Sequence, residues 1–283
     1  MPGTQTLLAE RRSLLGDPRL RGRALARAHA DLMDRWLGEL LGDQEGVAVV
    51  AVGGYGRRQL CPASDLDVVL VHRGRRDVAR LAESLWYPIW DAHLALDHSV
   101  RTVREALAVA GDDLKVALGL LDTRYVAGEA DLAGDLVARV HQQWRRQAKR
   151  LLPVLDEACQ ERHRREGEVA FLLEPDLKAG RGGLRDLGAL RAAGLGAPIL
   201  PDPGADLDRA EATLVTARVE LHRQAGRSLD RLLLQEQDGV ARALDLPDSD
   251  ALMAQVAEAA RAVTWAGDDA WRRIRSWLAG PRG

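Results

Sequence analysis

Lysine is nearly missing from this chain, which carries only Lys115, Lys149 and Lys178 among its 40 basic residues. Arginine supplies the rest, a bias read as genomic, and Lys178 stands out against it. Cysteine is as scarce. Cys61 and Cys159 lie far apart, in neither a CxxC nor a metal-ligand spacing, which excludes a disulfide scaffold and a cysteine metal site and suits a reducing compartment. A basic surplus is absent too: a formal net charge of -2 over 283 residues cannot neutralise many phosphates, which excludes a general nucleic-acid binder. No apolar run approaches the ~20 residues that span a bilayer, and the opening MPGTQTLLAERRSLLG lacks the apolar core of a signal peptide. The expected location is the cytoplasm, with neither membrane nor nucleic acid as a partner.

What is present reads as a soluble globular protein, 46% hydrophobic and 29% charged, long enough for one large or two ordinary domains. Residues 1–45 form a helical lead-in by their Leu and Ala spacing, with Asp31 and Asp34 facing out. Val47 to Val52 and Leu66 to His72 are short β-branched runs that suit buried strands, and Leu94 to Arg101 alternates in strand fashion. After Thr102 helical spacing dominates: 103–110, 112–122, about 131–165, 208–245 and 249–279. Two irregular stretches interrupt it, Phe171 to Leu187 and Gly194 to Asp208. The expected plan is an α/β unit with a mixed sheet over 46–127, followed by an all-helical unit over 128–283.

The chemistry concentrates in VAVVAVGGYGRRQLCPASDLDVVLVHRG, Val47 to Gly74. Residues two apart on a strand share a face, so Asp65 and Asp67 would stand side by side, roughly 6.5 Å apart along the strand. Buried or crowded anions are costly without cations. Divalent Mg²⁺ takes oxygen ligands from one or two carboxylates plus substrate phosphates, and a pair of such ions suits phosphoryl-type transfer. Asp97, in LALDHSVR, is the candidate third acid, because a neighbouring strand has to supply one. Gly53 and Gly54 allow backbone N–H groups to approach a phosphate, and Arg57 or Arg58 adds a guanidinium.

GGYGRRQLCPASDLDVVLV resembles the signature of polymerase-β-type nucleotidyltransferases, and more narrowly that of bacterial PII uridylyltransferases. LDHSVRTV, DDLKVALGLLDTRYVAG, EPDLKAGRGGLRDL and ELHRQAGRSLDRLLLQEQDGVARALDLPD resemble further motifs of that family, in its order. The resemblance implies transfer of a nucleoside monophosphate from UTP or ATP to a tyrosine of the nitrogen regulatory protein PII. It also implies phosphate binding by Gly53, Gly54 and Arg57 and two Mg²⁺ ions held by Asp65, Asp67 and Asp97. Lys178, Arg181 and Arg185 would form a basic loop over the triphosphate or against PII. The family continues into a His-Asp phosphohydrolase domain and two ACT domains. No His-Asp dipeptide occurs here, so removal of the modification and glutamine sensing are not expected of these residues, and the chain is expected to be part of a longer protein.

Two other readings remain open: a superfamily transferase acting on a small molecule, against which the Glu174 to Leu187 stretch argues, and a catalytically idle nucleotide-binding module. Lesser expectations concern single residues. His98 is read as a core histidine, Arg101 as a partner of Asp97 or of phosphate, and Arg124 as paired with an acid such as Asp122. Tyr55 is expected under the turn, Cys61 is expected to be inert, and Trp86, Trp90, Trp265, Trp271 and Trp277 are assigned to helix packing. The basic runs HQQWRRQAKR and ERHRRE are read as solvated faces.

Overall fold

The computed structural model of the protein describes residues 2–202 and 204–280. The chain folds into two compact units, one of residues 1–20 with 24–143 and one of residues 21–23 with 144–283. The first unit therefore takes in most of the helical lead-in and reaches past residue 127.

In the first unit, helices α1 (Pro2–Gly16) and α2 (Gly22–Leu41) precede strand β1 (Val47–Ala51), a single helical turn α3 (Gly53–Gly56) and strand β2 (Leu66–His72). Helix α4 (Val78–Asp91), strand β3 (Leu96–Arg101), helices α5 (Val103–Asp112) and α6 (Leu114–Leu121) and strand β4 (Arg124–Gly128) follow. The sheet order is β3-β2-β1-β4, with β1 antiparallel to both neighbours and β2 parallel to β3. This is the mixed sheet expected. Strand β4 was not anticipated: RYVAG is too short and too polar at its start to carry a period.

All five residues of β1 are buried, which is why the run is continuously apolar rather than alternating. Each Val there contributes about 1.5–3 kcal/mol over exposure. Val47, Val49, Ala51, Leu66, Val68 and Leu70 face one core with Met33, Trp36 and Leu37 of α2 and Leu81, Leu85 and Ile89 of α4. Parallel strands need a crossover, and α4 provides it between β2 and β3. Both strands consequently run the same way from the same edge.

Arg11 of α1 and His29 of α2 tie this core to the loop before β2. Arg11 Nε donates to His29 Nε2 at 3.1 Å, so His29 Nδ1 must carry the proton that it shares with the Leu60 carbonyl at 3.2 Å. Burial, reinforced by the Arg11 charge, pushes the His29 pKa from an ordinary 6.5 down to about 4. Protonation leaves the ring without an acceptor for Arg11. A lowered histidine contributes stability that is complete above pH 6.5 and is lost as pH falls towards 4. Urea unfolding at pH 7 and pH 4 should show the protein losing up to ~3 kcal/mol more than His29→Gln. Equal losses would dismiss the histidine as the cause.

The second unit is helical. Helix α7 (Ala130–Glu166) enters it, followed by an irregular stretch, α8 (Leu184–Gly196), α9 (Ala205–Ala225), α10 (Leu234–Ala243) and α11 (Ser249–Ala279). The helix expected over 208–245 is two helices. Gly226 stops the first in the left-handed region, φ 62°. Helix α8 begins inside one stretch read as irregular and ends inside the other, because Gly188 and Gly194 mask its spacing. Trp271 packs as expected, while Trp265 is 75% exposed and does not. Arg162, inside one of the basic runs read as solvated, is buried. Among the described residues no helix is long and apolar enough to cross a membrane.

Candidate active site

Strands β2 and β3 both begin Leu-Asp, and the parallel ladder pairs them in step, Leu66 with Leu96 and Asp67 with Asp97. Paired residues of neighbouring strands share a face and lie about 4.8 Å apart. The leucines join the core. The aspartates therefore occupy the opposite face, adjacent at the same end of the two strands. Opposed like charges in a ladder are destabilising, so this is a place built for something other than stability.

Asp65 lies one residue ahead of β2 and is exposed, rather than inside a buried strand as its setting suggested. The backbone is nonetheless still tied to the neighbouring chain there, with Leu66 N–H donating to the Ala95 carbonyl at 2.8 Å. Among the described residues no group of three or more His, Cys, Asp or Glu is gathered for a metal ion. The Asp67–Asp97 pair is what the sheet brings together.

The glycine turn stands against this pair. Val52 N–H donates to the Asp67 carbonyl at 3.0 Å. Gly53 has φ +55°, and a Cβ there would lie 3.3 Å from Asp67 Oδ2, so only glycine combines that backbone with that approach. Three residues on, a Cβ on Gly56 would fall 2.0 Å from the Asp122 carbonyl oxygen, a clash with backbone that no rotamer relieves. Gly56 carries as strong a constraint as Gly53, and no local pattern in the sequence signals it, because the clashing carbonyl belongs to the distant Asp122.

Each arginine around the turn has an acid as its partner. Arg57 is ion-paired with Asp122 and donates from Nε to Gln59 Oε1 at 3.1 Å. Arg58 pairs with Asp31. Arg124 pairs with Asp34, not Asp122: Nη1 reaches Asp34 Oδ2 at 2.6 Å and Nη2 reaches Oδ1 at 3.0 Å. Tyr55 is buried under the turn, as expected, and donates its hydroxyl to Asp34 Oδ1 at 2.7 Å. Burial, with the Asp34 charge, holds its phenol well above the usual pKa, so it stays a donor. Asp34 thus faces inward. Nothing local signals this, because its partners lie 21 and 90 residues away.

His98 is exposed, a correction to its reading as core. Its ring lies 5.1 Å from Trp86 and 5.6 Å from Trp90, and Trp90 is itself 44% exposed. Arg101 sits on the Asp97 face, four residues along the strand. Its Nη1 is buried with no hydrogen-bond partner among the described residues.

In the second unit the stretch over 167–183 is pinned at several points. Asp186 accepts from Arg162 Nη2 at 2.6 Å, His163 Nε2 at 2.9 Å and Gly182 N–H at 2.7 Å. Burial alone would raise this carboxyl, yet the His163 hydrogen bond and the Arg162 charge together hold it below its usual range. Lys178 lies 3.5 Å from Asp230, and Arg181 is held by Glu168 and Asp268. Arg185 is exposed, its N–H donating to the Lys178 carbonyl at 2.9 Å.

The family model described as GlnD PII-uridylyltransferase matches residues 138–194 and 197–268. The chain carries a domain of this family. It is 51% identical, over 94% of its length, to a bifunctional uridylyltransferase/uridylyl-removing enzyme of Streptomyces coelicolor, of which it covers 32%. An enzyme of the same description from Mycobacterium tuberculosis is 44% identical over 82% of this chain and 31% of its own. One from Corynebacterium glutamicum is 40% identical over 77% and 31%. The chain thus spans about a third of the length of these curated relatives.

Proposed function

We propose that the chain carries the nucleotide-transferring part of a PII uridylyltransferase. It moves UMP or AMP from the triphosphate to a tyrosine hydroxyl of PII and releases pyrophosphate. The observation that carries this reading is the parallel register that places Asp67 beside Asp97 on the face next to the glycine turn. The descriptions of the similar enzymes and the family match support the same direction.

The residues present fit Mg²⁺, which needs only one or two carboxylates when phosphates and water complete its shell. Asp67 and Asp97 supply that number, with exposed Asp65 close by in sequence. Bound there, Mg²⁺ would neutralise charge on the donor's phosphates and lower the pKa of the attacking hydroxyl. The chain's own groups do the rest. Gly53 and Gly54 offer a backbone free of side chains to the donor, and Arg57 exchanges Asp122 for phosphate. The hydroxyl oxygen attacks the α-phosphorus as the bond to the pyrophosphate oxygen breaks.

Incubating the chain with Mg²⁺, PII and either UTP or ATP, then weighing PII by mass spectrometry, tests the proposal. The added mass of one UMP or AMP per modified tyrosine is expected and identifies the donor. Triphosphate binding with no mass added from either donor would instead establish the idle nucleotide-binding module.

A further inference from the structure

We propose that Arg124, gripped by Asp34, is a positioning residue for the donor triphosphate: it holds the glycine turn at its distance from Asp67. The inference rests on the transferase reading of that turn. Arg124 does more than pair with Asp34. Its Nε donates to the Gly56 carbonyl at 3.1 Å and its Nη2 to the Tyr55 carbonyl at 3.3 Å, so one guanidinium closes the end of the turn remote from Gly53. The same group lies 5.4 Å from the Tyr55 ring centroid, and the Tyr55 hydroxyl returns to Asp34. Arginine, carboxylate, ring and two carbonyls form one closed set.

The turn cannot give way at either end. Gly56 abuts the Asp122 carbonyl, and Gly53 is set in the left-handed region beside Asp67 Oδ2. Displacing Gly56 therefore displaces Gly53 against the carboxylate, and with it the backbone offered to the donor's phosphates. Asp34 neutralises the Arg124 charge locally, so the effect is geometric rather than a distant attraction for phosphate. A lysine keeps the charge but lacks the planar fork that reaches carboxylate and carbonyls together.

The test compares the unaltered chain with Arg124→Lys and Tyr55→Phe in Mg²⁺. It reads KM for UTP and ATP, kcat at saturating triphosphate, Kd for inorganic tripolyphosphate, and Tm. Arg124→Lys should raise KM and the tripolyphosphate Kd together by roughly tenfold, the scale of losing a supporting contact, with kcat nearly unchanged. Tyr55→Phe should shift both constants the same way by less. Should Arg124→Lys fail to fold, Tyr55→Phe decides alone, since it removes one hydrogen bond and no charge. Wild-type constants in the folded variants, or a fall in kcat at constant KM, overturn the proposal. An unaltered chain that binds tripolyphosphate more tightly than Arg124→Lys yet transfers no nucleotide would remove the transferase reading and leave the positioning role. A chain that binds no triphosphate removes both.

Discussion

Replacing Asp67 with asparagine is expected to cut nucleotide transfer at least ~100-fold, beyond the usual loss of an outer supporting partner, while leaving Tm unchanged or slightly raised. The two effects share one cause. Asp67 and Asp97 are cross-strand neighbours on one face, and opposed like charges in a ladder are destabilising. Neutralising one acid relieves that repulsion and removes half of the oxygen pair proposed for Mg²⁺. A readout independent of turnover is available. Mg²⁺ with UTP or ATP should raise the Tm of the unaltered chain, because a ligand that binds only the folded state stabilises it, and should raise that of Asp67→Asn far less. An Asp67→Asn protein with near-normal transfer would end the metal assignment. One that melts far below the unaltered chain would show instead that the pair is structural.

Asp186→Asn should act in the opposite sense, lowering Tm by about 10 °C. Removing one partner of a buried pair costs ~3–5 kcal/mol because the other charge is left uncompensated, and a unit of this size shifts by ~2–4 °C per kcal/mol. Arg162 is the stranded charge. It is buried, no second carboxylate accepts from it among the described residues, and its Nη1 is already committed to the Ala179 carbonyl at 2.8 Å. The Gly182 N–H and His163 lose their charged acceptor in the same step. Differential scanning calorimetry of the two proteins at neutral pH measures the difference. A shift below ~2 °C would mean that the anchor of the 167–183 stretch lies elsewhere.

These two aspartates differ in how far they could be read in advance. Asp67 was legible, since an acid within an apolar β-branched run contradicts its surroundings and points to function. Asp97 was legible by its place on an alternating segment, and the repeated Leu-Asp opening of the two strands is the signal that would have paired it with Asp67. Asp186 stood in a stretch recognised as a motif, yet its partner Arg162 lay in a run that looked like solvated surface. Asp34 carried no signal at all. Its helix face shows a polar residue at ordinary spacing, and only the return of the chain at Tyr55 and Arg124 turns that face inward.

Taken alone, the sequence determined the elements with strong periods: the buried strands β1 and β2, the long helices α7 and α11, the glycine bend and the acids after it. Those depend on contacts between residues a few positions apart, and their pattern is written locally. Tertiary structure decided the parallel register of β2 and β3, the exposure of His98, the pairing of Arg57 with Asp122 and of Arg124 with Asp34, and the burial of Arg162. Each of these depends on which distant charge or strand arrives beside a residue. Coulombic pairing and ladder register carry no period along the chain, so only the packed molecule can settle them.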